Sequence, residues 1–267
     1  MKNYPHILSK VFREPWVVTR EKHWAIQRIL EARIVGQVVE DPLGMEDGDN
    51  EKPTMSKDGD TAIIPVHGII GKHLSGLEMM SGGVDLDTVN TMLDMAAKDD
   101  GIESVILDFR SPGGTVTGVP ETARKIANFP KGILAFTDSE MASGAYWLAS
   151  QANGGIFATE SSDVGSIGVY MALLDESRAL ENEGLKVNAI SAGKFKMAGA
   201  SFKPLTDDER KMFQDQVDSI YVQFKDAATR HRELSDDVMQ GQVFDGQEAV
   251  TFGLVDGLVD DISELLS

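Results

Sequence analysis

Between residue 61 and the C-terminus, short apolar runs alternate with stretches of helical period, and no other feature limits the possible folds as much. Residues 62–70 (AIIPVHGII) read as a strand, with Pro65 marking an edge or a bulge because it brings no N–H to a ladder. Residues 84–98 place Leu86, Val89, Met92, Leu93 and Ala96 on one helical face. A second strand over 104–109 is followed by a helix over 120–128, a third strand over 133–136 and a turn over 137–140. A small-residue helix over 143–151 then precedes a strand over 156–158. The apolar run 169–174, a helix carrying Arg178 and Leu180, and the segment 186–190 come next. Thr206-Asp-Asp-Glu209 has capping-box spacing and opens a long helix with Met212, Phe213, Val217, Ile220, Tyr221 and Phe224 at core spacing. Strand–helix units repeated in this way predict an α/β domain with largely parallel strands.

The N-terminal part differs. Residues 1–35 carry a small basic excess, with apolar residues at helical spacing over 21–30. Residues 40–60 are acidic, with Gly and Pro and few large apolar side chains, which is the composition of a flexible linker. The expected organisation is a mobile N-terminal arm over 1–39, an acidic linker over 40–60 and the main domain over 61–267. A formal net charge of −18 argues against a nucleic-acid partner, since phosphate backbones require a basic stripe. The longest uncharged run, 141–159, contains Ser143, Ser150, Gln151 and Asn153, so no membrane anchor is expected. The N-terminus lacks an apolar core of signal-peptide length, and a cytoplasmic location is expected.

The chain contains no cysteine, which excludes disulfides, thiolate metal sites and a thiol nucleophile. Its histidines are His6, His23, His67, His73 and His231, none in a spacing such as H-E-x-x-H, so neither a metal nor another cofactor is expected. Two glycine-bearing turns follow apolar strands. The glycines of Ser111-Pro-Gly-Gly114 suit either a plain strand-ending turn or the exposure of backbone N–H groups to an oxyanion. Met141-Ala-Ser-Gly-Ala145 puts Ser143 at a helix start among small residues, a place for a cap or for a nucleophile. Neither the phosphate-loop spacing nor the G-x-S-x-G elbow is present. A serine nucleophile needs a base, and no histidine lies between residues 74 and 230. Lysine serves where burial keeps it neutral. The candidates are Lys186, Lys194, Lys196 and Lys203, and composition selects none of them.

Taken together, SPGG after an apolar strand, A-S-G-A-Y-W-L-A, V-G-S-I-G-V, S-A-G-x-x-K and V-F-D-G-Q-E-A-V-x-x-G-L-V-D resemble the signal peptide peptidase A (protease IV) family over about residues 61–260. Tyr4-Pro-His-Ile7 and Phe12-Arg-Glu-Pro15 are similar to its phage and prophage branch, the head-maturation (prohead) proteases related to the lambda-type minor capsid protein C. The resemblance implies a ClpP/crotonase-like fold and a Ser–Lys dyad, with Ser143 as nucleophile and Lys196 as general base. Lys194, two residues away and on the same face of a strand, is the competing lysine. The resemblance assigns Gly113, Gly114 and the Gly144 amide to the oxyanion hole and puts segment 164–169 near the site. It implies no cofactor, a protein substrate such as phage scaffold or capsid protein, and a homo-oligomer with active sites near subunit interfaces. In some members the serine and lysine come from different subunits. Three other readings stand beside a capsid-processing endopeptidase. They are general peptide degradation of the cellular kind, a non-proteolytic capsid-assembly protein, and a crotonase-type acyl-CoA enzyme on the same fold.

Overall fold

The computed structural model describes residues 14–20, 22, 54–80 and 82–266, with the backbone alone at Leu77 and Met80. The expected helix over 21–30 and most of the acidic stretch lie outside the described residues. In chain order the strands are β1 (Trp16–Val18), β2 (Ser56–Asp58), β3 (Thr61–His67), β4 (Ile69–Gly71), β5 (Gly83–Asp85) and β6 (Ser104–Ser111). They continue as β7 (Gly113–Thr115), β8 (Gly132–Ala142), β9 (Ile156–Ala158), β10 (Asp163–Gly165), β11 (Val243–Phe244) and β12 (Gly257–Leu258). The helices are α1 (Gly76–Met80), α2 (Leu86–Lys98), α3 (Val119–Ala127), α4 (Gly144–Ala149), α5 (Ser177–Asn182), α6 (Asp207–Ala228) and α7 (Gly246–Thr251).

The centre of the larger sheet is the parallel trio β3, β6 and β8, in register from Thr61↔Ser104 and Ser104↔Gly132 onward. Residues Val105 to Phe109 of β6 are all buried, as expected of a strand covered on both faces. The antiparallel β2 reaches only Thr61 to Ile63, so Pro65 pairs with β6 alone and its missing N–H leaves no gap on a second neighbour. Helix α2 buries Leu86, Val89, Met92, Leu93 and Ala96, the five that the spacing selects, and Asp85 caps it by accepting from the Asp87 amide. A second sheet, in the order β1-β7-β4-β5, lies beside the first. The chain steps from one sheet to the other at Gly68, which has φ 104° and where a Cβ would fall 2.1 Å from the Gly82 carbonyl oxygen. It steps again at Pro112, between β6 and β7.

Helix α6 opens on the expected capping box, with Thr206 Oγ1 accepting from Glu209 N and Glu209 Oε2 from Thr206 N. Its C-terminal turns pack against α4. The Phe224 ring stacks on Trp147 at a centroid distance of 4.7 Å, and Gln151 Nε2 donates to the Ala227 carbonyl. Phe224, Ala227 and Ala228 are buried, while Met212, Phe213 and Val217 are only half-buried as the helix runs outward. Phe224→Ala is expected to lower the unfolding free energy by about 3–5 kcal/mol, read by urea denaturation.

Five local expectations change. Residues 137–140 continue β8 rather than turn, because β10 pairs with Glu140 to Ala142 and carries the strand to its end. The segment 186–190 is exposed and forms no strand, and Lys194 and Lys196 sit in consecutive turns rather than on one strand face. Residues 16–18, inside the expected mobile arm, are a buried strand. Residues 56–58, inside the expected linker, pair with β3. No helix among the described residues is long and apolar enough to cross a membrane.

Candidate active site

Ser143 stands between the end of β8 and the start of α4, with φ 55° and ψ −117°. An L-residue adopts this left-handed backbone only where its surroundings hold it. Here the Ser143 amide donates to the Gly165 carbonyl at 2.7 Å, and the Ser143 carbonyl accepts from Trp147 N at 2.9 Å. Trp147 is itself fixed by Phe224, and Tyr146 Oη donates to the Leu254 carbonyl, so α4 is pinned on both sides of the chain that follows the serine. Burial pushes the Tyr146 phenol far above its ordinary range, which keeps it a neutral donor. The Ser143 side chain is almost wholly buried, and its Oγ has no hydrogen-bond partner among the described residues. A buried hydroxyl in that condition costs about 1–3 kcal/mol, and such groups call for a functional explanation.

The two glycine turns meet at this serine. A Cβ built on Gly113 would lie 2.7 Å from the Gly144 amide nitrogen, 3.0 Å from Ser143 Cβ and 2.0 Å from the Val17 carbonyl oxygen. A Cβ on Gly114 would fall 1.9 Å from the Ile70 carbonyl oxygen, and one on Gly144 would fall 3.5 Å from the Gly114 amide nitrogen. Only glycine lets these backbones approach so closely. Gly113 also has φ 93°, and its N–H donates to Ser111 Oγ at 3.2 Å, while Ser111 Oγ donates to the Gly68 carbonyl at 2.7 Å. Ser111 thus holds the turn from inside the sheet. Gly113→Ala is expected to force these backbones apart, because its Cβ would overlap the Val17 carbonyl oxygen and the Gly144 amide. The variant should have a lower melting temperature, which calorimetry checks.

The structure brings Ser143, Gly113, Gly114 and Gly144 together, and none of the four candidate lysines comes within hydrogen-bonding distance of Ser143 Oγ. Lys203 makes a two-oxygen ion pair with Glu209 at 2.6 and 2.7 Å. Lys194 pairs with Asp208 at 2.7 Å, which holds the Asp208 carboxyl below its ordinary range. Lys186 and Lys196 are exposed. The stretch around them presents Leu185, Val187, Ile190 and Phe195 to solvent, with Ile190 fully exposed.

Two contributors, Ser111 and β1, have no role in the sequence reading, and Gly165 enters it only as part of segment 164–169. Gly165 supplies the carbonyl that fixes the serine amide, and the VGSIGV motif was its signal. Ser111 braces Gly113, and it stood unexamined inside SPGG. The strand β1 reaches the cradle from the N-terminal part, for which composition gave no sign. Among the described residues no group of three His, Asp or Glu is placed to hold a metal ion.

Residues 127–264 match the model of peptidase family S49. The chain is 29% identical to the capsid assembly protease C of Escherichia phage lambda, over 97% of this chain and 64% of that protein. It is 30% identical to the head-tail preconnector protein GP5 of Enterobacteria phage P21, over 74% of this chain and 40% of that protein. With protease 4 of Haemophilus influenzae the identity is 28%, over 73% of this chain and 32% of the relative. The chain therefore spans less than two thirds of the length of each of these relatives. Among solved structures it is similar to an enoyl-CoA hydratase from Shewanella pealeana, with a TM-score of 0.47 and 12% identity, over 81% of this chain and 71% of that one. The family match takes in Ser143, Gly144 and Lys196 and covers about half of the sequence, so the chain belongs to peptidase family S49.

Proposed function

We propose that the protein is a serine endopeptidase that works by acyl transfer from Ser143, with Lys196 as general base, and that it processes phage scaffold or capsid proteins during head maturation. The observation that carries the reading is the Ser143 hydroxyl: buried, without a partner, and held by a left-handed backbone against three glycines. In the reaction the lysine amine takes the Ser143 proton, and Oγ attacks a peptide carbonyl carbon. The oxyanion that forms is met by the amides of Gly114 and Gly144, since the Gly113 amide is engaged by Ser111. The leaving amine takes the proton back from the lysine, and water then releases the acyl group with the lysine again as base.

Lys196 acts from a neighbouring copy of the chain in this reading. A lysine needs burial to stay neutral, whereas Lys196 is exposed here and flanked by uncovered Phe195 and Ile190. A second copy seated on that stretch supplies both the cover and the serine. The names of the phage lambda and phage P21 relatives support a capsid substrate over general peptide degradation. Incubation with scaffold and capsid proteins encoded beside the gene, followed by mass-spectrometric mapping of new termini, tests the reading. New termini that depend on Ser143 support it, and identical termini from a Ser143→Ala protein overturn it.

A further inference from the structure

The strand β1 lies where an extended peptide would have to lie to reach Ser143. It pairs antiparallel with β7 in the register Trp16↔Thr115, Val17↔Gly114 and Val18↔Gly113. Thr19 N donates to the Pro112 carbonyl at 2.9 Å, and Val116 N donates to the Pro15 carbonyl at 3.3 Å. Bonded and non-bonded pairs alternate along an antiparallel ladder. Between those two bonds, therefore, the pair that exchanges hydrogen bonds is Val17 with Gly114. On the opposite edge Trp16 exchanges both of its bonds with Tyr170, N to O at 2.9 Å and back at 3.2 Å. The segment is gripped from both sides, by Pro15, Val17 and Thr19 on one and Trp16 on the other, and Trp16, Val17 and Val18 are all buried.

The Val17 carbonyl is the group aimed at the cradle. Its oxygen lies 2.0 Å from the place a Gly113 Cβ would take and 3.1 Å from that of Gly144, and Val17 Cγ2 lies 3.0 Å from the latter. The Gly114 amide, opposite Val17, is the donor that an oxyanion would use. We propose that the slot between β7 and Tyr170 is the substrate-strand site, and that the chain's own segment 15–19 occupies it as a substrate-like plug with the Val17–Val18 bond lined up at Ser143. The inference rests on the peptidase reading above, and it gives that site a ligand class. The site takes an extended peptide with a small aliphatic residue on the carbonyl side of the cut bond, in Val17's place. The plug stays uncut in this arrangement because no base among the described residues lies within hydrogen-bonding reach of Ser143 Oγ. An incoming peptide replaces its backbone bonds one for one, so exchange of strand for strand carries little net change in hydrogen bonding.

Two measurements test this. In the wild-type protein, full phosphonylation of Ser143 by a fluorophosphonate must displace the Val17 carbonyl. Amide hydrogen exchange at residues 16–19 is then expected to rise tenfold or more. Unchanged protection there, with Ser143 fully modified, overturns the inference. The second measurement uses the absence of native cysteine. Trp16 and Thr115 form a non-bonded pair, whose Cα atoms stand about 4.5 Å apart in such a ladder and within disulfide reach. A Trp16→Cys/Thr115→Cys protein is expected to lose turnover at least tenfold when oxidised and to recover it on reduction. Equal turnover in both states overturns the inference alone. A wild-type protein with neither Ser143 labelling nor turnover overturns the peptidase reading, and the inference falls with it.

Discussion

Ser143→Ala is expected to lower peptide-bond turnover by at least about 10⁴-fold while leaving the protein as stable as the wild type or more so. On the proposed mechanism this variant lacks the atom that forms the acyl-enzyme, and only the amide cradle and binding contacts remain. The stability effect has a separate cause. Ser143 Oγ is buried without a partner, so alanine removes a polar group whose desolvation nothing offsets. The left-handed backbone at φ 55° is unchanged by alanine. Ser143→Gly goes further, since it relieves about 1–2 kcal/mol of left-handed strain against about 0.4–1 kcal/mol of extra freedom in the unfolded chain. The expected order of stability is glycine above alanine, with wild type no higher than alanine, and activity is lost in both variants. Urea denaturation and turnover on the same preparations check the order. A Ser143→Ala protein that loses several kcal/mol would show that the hydroxyl has a structural partner, which a nucleophile at rest has no need of.

Much of this arrangement is legible in the sequence. Helical period marks the buried face of α2, and the Thr206–Glu209 spacing marks the capping box of α6, because both are set within one turn or one helix. The convergence of SPGG with Ser143 was readable only through the resemblance, since residues 113 and 143 meet through sheet register rather than sequence distance. Residues 137–140 misled because Asp138, Ser139 and Glu140 look like a turn. They are a largely exposed stretch inside a strand that continues through the buried Met141 and Ala142. The same limit hid β1. Trp16-Val-Val18 is a three-residue strand among basic residues, and nothing in its composition says that it pairs with β7 from far along the chain. Lys194 and Lys196 were read as sharing a strand face, yet turns from Gly193 onward separate them, with Lys196 N bonded to the Gly193 carbonyl.

Lys196→Ala is expected to lower turnover to the level of Ser143→Ala, and the two inactive proteins are expected to restore activity when co-assembled. The first half follows from the mechanism, since without the base Ser143 keeps its proton. The second follows from geometry. Lys196 is exposed and not bonded to Ser143 on the same chain, and in the proposed assembly a second copy completes the site. In a closed assembly of randomly mixed subunits, about a quarter of the sites pair an intact Ser143 with an intact Lys196, so co-expression should recover up to about a quarter of wild-type turnover. Two lysines that acted within their own chains would recover none. Lys194→Ala supplies the control, because its ammonium is held by Asp208 at 2.7 Å on an exposed surface, where solvent screens an ion pair. Turnover in that variant is expected to stay within about twofold of wild type. A dead Lys194→Ala protein beside an active Lys196→Ala protein would exchange the two roles. Ile190→Asp separates the remaining question of how the copies meet. A fully exposed isoleucine loses nothing within its own chain when it becomes charged. In a packed interface, however, the aspartate leaves a carboxylate without a partner. The expected result is an intact fold with turnover and assembly lost together, read by circular dichroism and sedimentation, because in the proposed assembly the contact that buries Ile190 also brings Lys196 to Ser143 of a second copy.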